Sequence, residues 1–180
     1  RLKSRSPLSD IRLLLDRGSR AEPAYSYVVP ISDLTAQWER VEQNLRRLVE
    51  RCTRQGLVLT EDADFASFFA MHEQTHRRKG APLYLPRERF ERWFERLRGA
   101  GLARLFHARM PDGKSIAAQI VIASGHPVTH TVAAGSDAEF RNLGANAFLR
   151  WRAFEALSKL GFAANDLTDA SLNPVTHFKS

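Results

Sequence analysis

Apolar residues recur at helical spacing through the first half of the chain and at strand spacing through much of the second. Ile11, Leu14 and Leu15 share one side of a short helix predicted over 8–17, which Gly18 ends. The run from Tyr25 to Ile31 is rich in aromatic and β-branched residues and predicts a strand. Asp33 or Thr35 is placed to cap the next helix, in which Trp38, Val41, Leu45, Leu48, Val49 and Cys52 form one stripe. Arg46, Arg47, Arg51 and Arg54 fall off that stripe, and Gly56 stops the helix before a short strand at Leu57-Val58-Leu59. A further helix is predicted from Asp62 to Lys79, with Phe65, Phe68, Phe69 and His72 on one face. Pro86 opens another, with a core face of Phe90, Trp93, Phe94 and Leu97.

The period then changes. Leu102–Ala108, Ser115–Ala123 and Pro127–Ala134 read as strands, joined by the turn-forming stretches Pro111-Asp112-Gly113-Lys114 and Ser124-Gly125-His126. Such short connections make an antiparallel meander. It feeds a turn at Arg141, a helix that Gly161 ends, and a last strand from Phe162 to Leu167. This order predicts a mixed α/β (α+β) domain whose central sheet is largely antiparallel and flanked by helices.

With 180 residues the chain can form one complete core, or one lobe of something larger. No apolar run reaches the length of a membrane span, and the start Arg1-Leu2-Lys3, which lacks an initiator Met, reads as that of a fragment, with no signal-peptide pattern expected in it. A lone cysteine, Cys52, forms no internal disulfide and fits a cytoplasmic location. The net charge of +7, concentrated at the N-terminus and between Arg77 and Arg104, favours anionic partners.

Three places offer chemistry. In Arg141-Asn142-Leu143-Gly144-Ala145-Asn146, small residues open a helix. The first-turn N–H groups lack intrahelical partners and the dipole is positive there, so the segment can seat a phosphate or pyrophosphate. Arg141 stands ready to add a charge-assisted contact. The plainer alternative is an ordinary turn with Gly144 there for packing. His72-Glu73-Gln74-Thr75-His76 matches the zinc-hydrolase pattern H-E-x-x-H. Arg77-Arg78-Lys79 directly after it oppose a second cation, and no third ligand stands out, so no metal is expected. Asp166 follows the last strand and Lys179 comes soon after; both are candidate site residues and also common surface types. No nucleophile elbow or P-loop is present.

In their order and spacing these pieces resemble the GNAT superfamily. Within it they resemble the branch holding the Fem peptidoglycan-bridge aminoacyltransferases and the CelD-type acetyltransferase domains. The resemblance runs over 25–180 as a single GNAT-like acyltransferase domain. It leaves 1–24 as an N-terminal extension or the remnant of a preceding lobe. It is carried by Tyr25 to Leu34, Leu45-Arg46-Arg47 to Gly56, Arg77 to Gly80, Ser115 to Val121, Gly144-Ala145-Asn146 with Trp151, and Asp166-Leu167 with Phe178-Lys179. GNAT enzymes carry [Q/R]-x-x-G-x-[G/A], which grips the pyrophosphate of acyl-CoA. Arg141 and Gly144 match its first and fourth positions, and Asn146 stands at the last. Fem enzymes use aminoacyl-tRNA and lack an intact version of this turn. Relatives often show Asp-Leu-Gly-Gly where this chain has Asp166-Leu167-Thr168-Asp169.

The resemblance implies transfer of an acyl or aminoacyl group onto an amine. The acceptor would be a small molecule or a peptidoglycan or polysaccharide precursor. It implies acyl-CoA as co-substrate, with aminoacyl-tRNA as the alternative donor, and no metal. The donor site would be Arg141, Asn142, Leu143, Gly144, Ala145 and Asn146. Asp166 would orient or deprotonate the amine, and Lys179 would stabilise negative charge. A second GNAT-like lobe would be a natural partner. Two rivals stand beside this reading: a non-catalytic basic module that binds RNA or another anionic partner, and a zinc hydrolase using His72, Glu73 and His76.

Overall fold

The computed structural model describes residues 12–18, 20 and 26–168. Strands β1 (Val28–Pro30), β2 (Val58–Glu61), β3 (Ala103–Arg109), β4 (Ser115–Ile122), β5 (Val128–Ser136) and β6 (Ala164–Asp166) form one sheet in the order β1-β6-β5-β4-β3-β2. The pairs β2–β3, β3–β4, β4–β5 and β1–β6 are antiparallel, and β5–β6 is parallel. A parallel pair needs a crossover, and helix α6 (Ala145–Lys159) supplies it. The largely antiparallel mixed sheet flanked by helices is thus as the sequence predicts.

Side-chain alternation along the central strands builds two cores. On one face Phe106, Ala108, Ala117 and Val121 meet α6 and α3 (Gln43–Arg54). Helix α3 contributes Leu48, Val49 and Cys52, and α6 contributes Ala145, Leu149, Ala153 and Leu157 at four-residue spacing. On the other face Leu105, Ala118, Ile120 and Ala133 meet α4 (Phe65–Arg78) and α5 (Arg87–Gly99). That core is mostly aromatic, with Phe65, Phe68, Phe69, Phe90 and Phe94 buried together. Asp64 starts α4 by accepting the Ser67 N–H at 3.0 Å. Helix α4 lies so close to β5 that an ideal Cβ on Gly135 would come 2.5 Å from the backbone nitrogen of His72.

Some boundaries differ from the sequence expectation. The helix read as continuous from Asp33 to Gly56 is two, α2 (Leu34–Arg40) and α3, because Val41 adopts extended angles with ψ 131°. Trp38 of α2 packs on Trp151 of α6 with centroids 4.6 Å apart, while α3 turns its own stripe into the core. Tertiary packing outweighs helical continuity here. The last strand is shorter than its apolar run and spans only Ala164–Asp166. The N-terminal helix α1 covers Arg12–Leu15, and the rest of its predicted span lies largely outside the described residues.

Candidate active site

The turn between β5 and α6 is held from three sides. After β5 the chain makes a short 3-10 helix, Ala138–Leu143, and reaches Gly144, the N-cap of α6, at φ +91°. That left-handed conformation favours glycine. An added Cβ would lie 2.7 Å from Leu48 Cβ of α3, so close packing demands glycine as well. From α3, Arg51 Nη2 donates to Leu143 O at 2.7 Å and also to Asn142 O, and Nε lies 3.3 Å from Leu143 O. The Cys52 thiol reaches the same carbonyl at 3.3 Å. From α4, Thr75 Oγ1 accepts the Ser136 N–H at 3.3 Å and Gln74 Oε1 accepts that of Ala138 at 3.2 Å. From the β3–β4 turn, Lys114 lies 3.2 Å from Asp137 and covers the Phe140 ring at 4.6 Å.

This grip has a directional consequence. The described peptides are all trans, so each N–H points opposite to the carbonyl of its own peptide. With the carbonyls of Asn142 and Leu143 turned to Arg51, the N–H groups of Leu143 and Gly144 point away from α3. The Ala147 and Phe148 N–H groups both bond Gly144 O, while those of Ala145 and Asn146 have no intrahelical acceptor. Asn146 anchors its side-chain amide on Ser136 Oγ at 3.3 Å and is exposed, as are Arg141 and Asn142. The six predicted residues Arg141 to Asn146 therefore form one partly exposed turn at a helix N-terminus.

Asp166 lies at the end of β6, level with His130 of β5. Its carboxylate accepts from Ser26 Oγ, from the Thr168 N–H at 2.8 Å and from His130 Nδ1 at 3.2 Å. Burial opposes ionisation, but these hydrogen bonds outweigh it and hold the Asp166 pKa below the usual carboxylate value. Two residues beyond His130 the β4–β5 register slips. Ile120 pairs with Ala133 and Val121 with Thr131, leaving Val132 as an extra, bulged residue. Strand β6 stops at Asp166, while β5 continues to Ser136. Among the described residues no strand pairs with β5 from Val132 to Ser136 on that side. Past His130 the described residues therefore leave the β6-side edge of β5 unpaired, and this edge leads from Asp166 toward the turn at Gly144.

Lys179 lies outside the described residues, as do Phe178 and Asp169. Sequence reasoning missed Ser26, His130 and Arg51. Arg51 was visible as an arginine off the apolar stripe, but nothing local pointed it at a loop 92 residues away. The bulge at Val132 leaves no sequence signal at all.

His72 and His76 extend the aromatic core of α4, with ring centroids 4.3 Å apart. Nδ1 of His72 lies 3.3 Å from Ala134 O, and that of His76 lies 2.8 Å from Pro82 O. Glu73 faces Arg77 at 3.5 Å. Among the described residues no group of three or more His, Cys, Asp or Glu side chains is placed to hold a metal ion. A groove of about 590 Å³ lies between Trp38, Trp151, Glu50, Arg54 and Arg152, on the outer side of α2, α3 and α6. It shares no lining residue with the turn or with Asp166.

Comparison with known proteins bears on the fold. No curated protein sequence matches the chain. Among solved structures, FemX superposes with a TM-score of 0.72 at 14% identity, over 83% of this chain and 54% of its own. L-PGS from Bacillus licheniformis gives 0.67 at 14% identity, over 93% and 51%. A predicted acetyltransferase from Clostridium acetobutylicum, solved with acetyl-CoA, gives 0.53 at 11%, over 68% and 87%. The chain thus spans about half the length of FemX and of L-PGS. The model of the acetyltransferase (GNAT) domain matches residues 39–180, and the chain belongs to that family.

Proposed function

We propose that this domain transfers an acyl or aminoacyl group from a phosphate-bearing donor to an amine. The observation that carries the reading is the clamped turn at Gly144, with first-turn amides that lack intrahelical acceptors at the start of α6. The donor's phosphate rests on the amides from Gly144 to Asn146, with Leu143 closing the 3-10 helix before them, and exposed Arg141 adds charge. The donor's arm runs along the open edge of β5 toward Asp166, where strand-like pairing can hold an extended group. Acyl-CoA fits as donor, and aminoacyl-tRNA presents the same phosphate chemistry. The acceptor is an amine on a small molecule or on a cell-envelope or polysaccharide precursor.

In the reaction the amine nitrogen attacks the donor carbonyl carbon and forms the new C–N bond. The carbonyl becomes an oxyanion, then re-forms as the bond to the thiol or ribose oxygen breaks. The amine loses a proton, which ends on the leaving group. Held ionised by its hydrogen bonds, Asp166 suits an orienting role better than accepting that proton. It fixes Nδ1 of His130 as the protonated nitrogen, so the accepting atom is Nε2. Main-chain groups freed by the bulge at Val132 and the Lys179 ammonium are the candidates to stabilise the oxyanion. Much of the rate comes from holding both substrates in line.

A thermal-shift screen with acetyl-CoA, longer acyl-CoAs and CoA tests the donor, because specific ligands raise the melting temperature by mass action. Arg141→Ala should weaken CoA binding about tenfold. Equal binding by variant and wild type removes Arg141 from the seat.

A second reading draws on α5. Arg89, Arg92 and Arg96 line a groove of about 470 Å³ with Trp93 and Leu97. Among the described residues none of the three arginines has a carboxylate within 4.0 Å. Such a stripe suits an anionic partner such as RNA. Salt-steep RNA binding with no product from any acyl donor would favour that reading.

A further inference from the structure

We propose that Arg51 is a positioning residue that sets donor affinity through the Leu143–Gly144 peptide without touching the donor. The inference rests on the phosphate-seat reading above. Among the described residues its guanidinium hydrogen-bonds only the carbonyl oxygens of Asn142 and Leu143, on the α3 side of the turn. The Leu143 N–H belongs to the 3-10 helix, but the Leu143 carbonyl, which Arg51 engages twice, shares its peptide with the Gly144 N–H, and that N–H points to the opposite side. A cation bonded to a carbonyl polarises the whole peptide and makes its N–H a stronger donor. Among the described residues Arg51 has no carboxylate partner, so its charge is not neutralised nearby.

The arrangement is also rigid. Leu48, one turn earlier on α3, fills the space beside Gly144 where a Cβ would lie. Cys52, the next residue, is fully buried and holds the Leu143 carbonyl by its thiol. Burial pushes that thiol's pKa up, which keeps it the protonated donor this bond requires, while the charge of Arg51 opposes the shift. Neither the turn nor α3 can shift without the other. A lysine here would keep the charge, but its ammonium cannot reproduce the planar fork that engages Leu143 O twice.

The test uses the full chain and two probes, CoA and pantetheine; pantetheine keeps the thiol arm and lacks the pyrophosphate and nucleotide. Calorimetric titration gives both affinities for wild type, Arg51→Met and Arg51→Lys, with circular dichroism to check folding. Wild type should prefer CoA. Arg51→Met should lose about tenfold in CoA affinity with pantetheine binding unchanged, and Arg51→Lys should fall between. A merely structural role would weaken both probes together. An Arg51→Met protein that keeps the wild-type ratio of the two affinities overturns the inference while the seat stands. Should that variant not fold, Arg51→Lys decides: an intermediate ratio supports the role and a wild-type ratio overturns it. If wild type itself does not distinguish CoA from pantetheine, the phosphate seat falls, and this inference with it.

Discussion

The two faces of the sheet use polar groups in opposite ways. On the α4–α5 face, His72 is only 1% exposed, sealed among phenylalanines, and its ring reaches inward to Ala134 O. On the α3–α6 face, Arg51 and Cys52 also bond a backbone carbonyl, but that carbonyl belongs to a partly exposed turn at the start of α6. The first arrangement fixes a helix on a strand. The second spends the same kind of bond on fixing that turn. The contrast sets a region that holds the fold together beside the turn proposed to seat the donor, and substitutions can test that separation.

The largest effect is expected from Phe68→Ala. The ring is fully buried and lies 5.4–5.7 Å from the rings of Phe65, His72 and Phe90. Its loss should cost about 4 kcal/mol in urea unfolding and leave CoA affinity of the folded fraction unchanged. A matching loss of affinity would break the division between the faces.

Next comes pH. Burial drives the His72 pKa down to about 4, the bond to Ala134 opposes this, and His76 and Lys79 add to it. The unfolded value is near 6.5, so the unfolded chain binds more protons between the two. The contribution of neutral His72 is complete above about pH 6.5 and is lost progressively toward pH 4. It amounts to about 3 kcal/mol. His72→Phe should flatten the pH dependence of the melting temperature over that window; an unchanged slope would assign the dependence to other groups.

Gly144→Ala should cost about 1–2 kcal/mol, from the positive φ and the contact with Leu48. It should also weaken CoA binding, so here stability and recognition fall together. The smallest effect is expected from Asp64→Ala, which removes the cap of α4 for about 1 kcal/mol in thermal melts. It should leave the donor site untouched.

How much of this was legible in the sequence follows from the range of the interactions. Periodicity located α4, α5 and α6 because their faces repeat within one element: Phe65, Phe68 and Phe69 mark a core whatever they pack against. The turn at Gly144 was legible because a helix start is a local event. The break at Val41 was not, because it depends on Trp38 meeting Trp151 more than a hundred residues away. His130 looked like one more residue in a strand, and only the parallel register with β6 sets it beside Asp166. The α4 histidines show the reverse case. The local motif matches a metal-binding pattern, while the rings around His72 are those of Phe68, Phe69 and Phe90, and His76 packs on Tyr84.

Helix α6 connects both halves of the proposed chemistry: its first residue opens the anion seat, and the chain leaving its far end delivers Asp166. Its 15 residues make it a spacer of about 22 Å. One residue inserted mid-helix would rotate everything downstream by about 100° and swing β6 out of step with His130. Lengthening by three or four residues returns nearly to the same face but displaces the carboxylate by a full helical turn. Variation in this domain should therefore fall in the loops around α6, while the helix keeps its length as a fixed gauge between the two ends of the site.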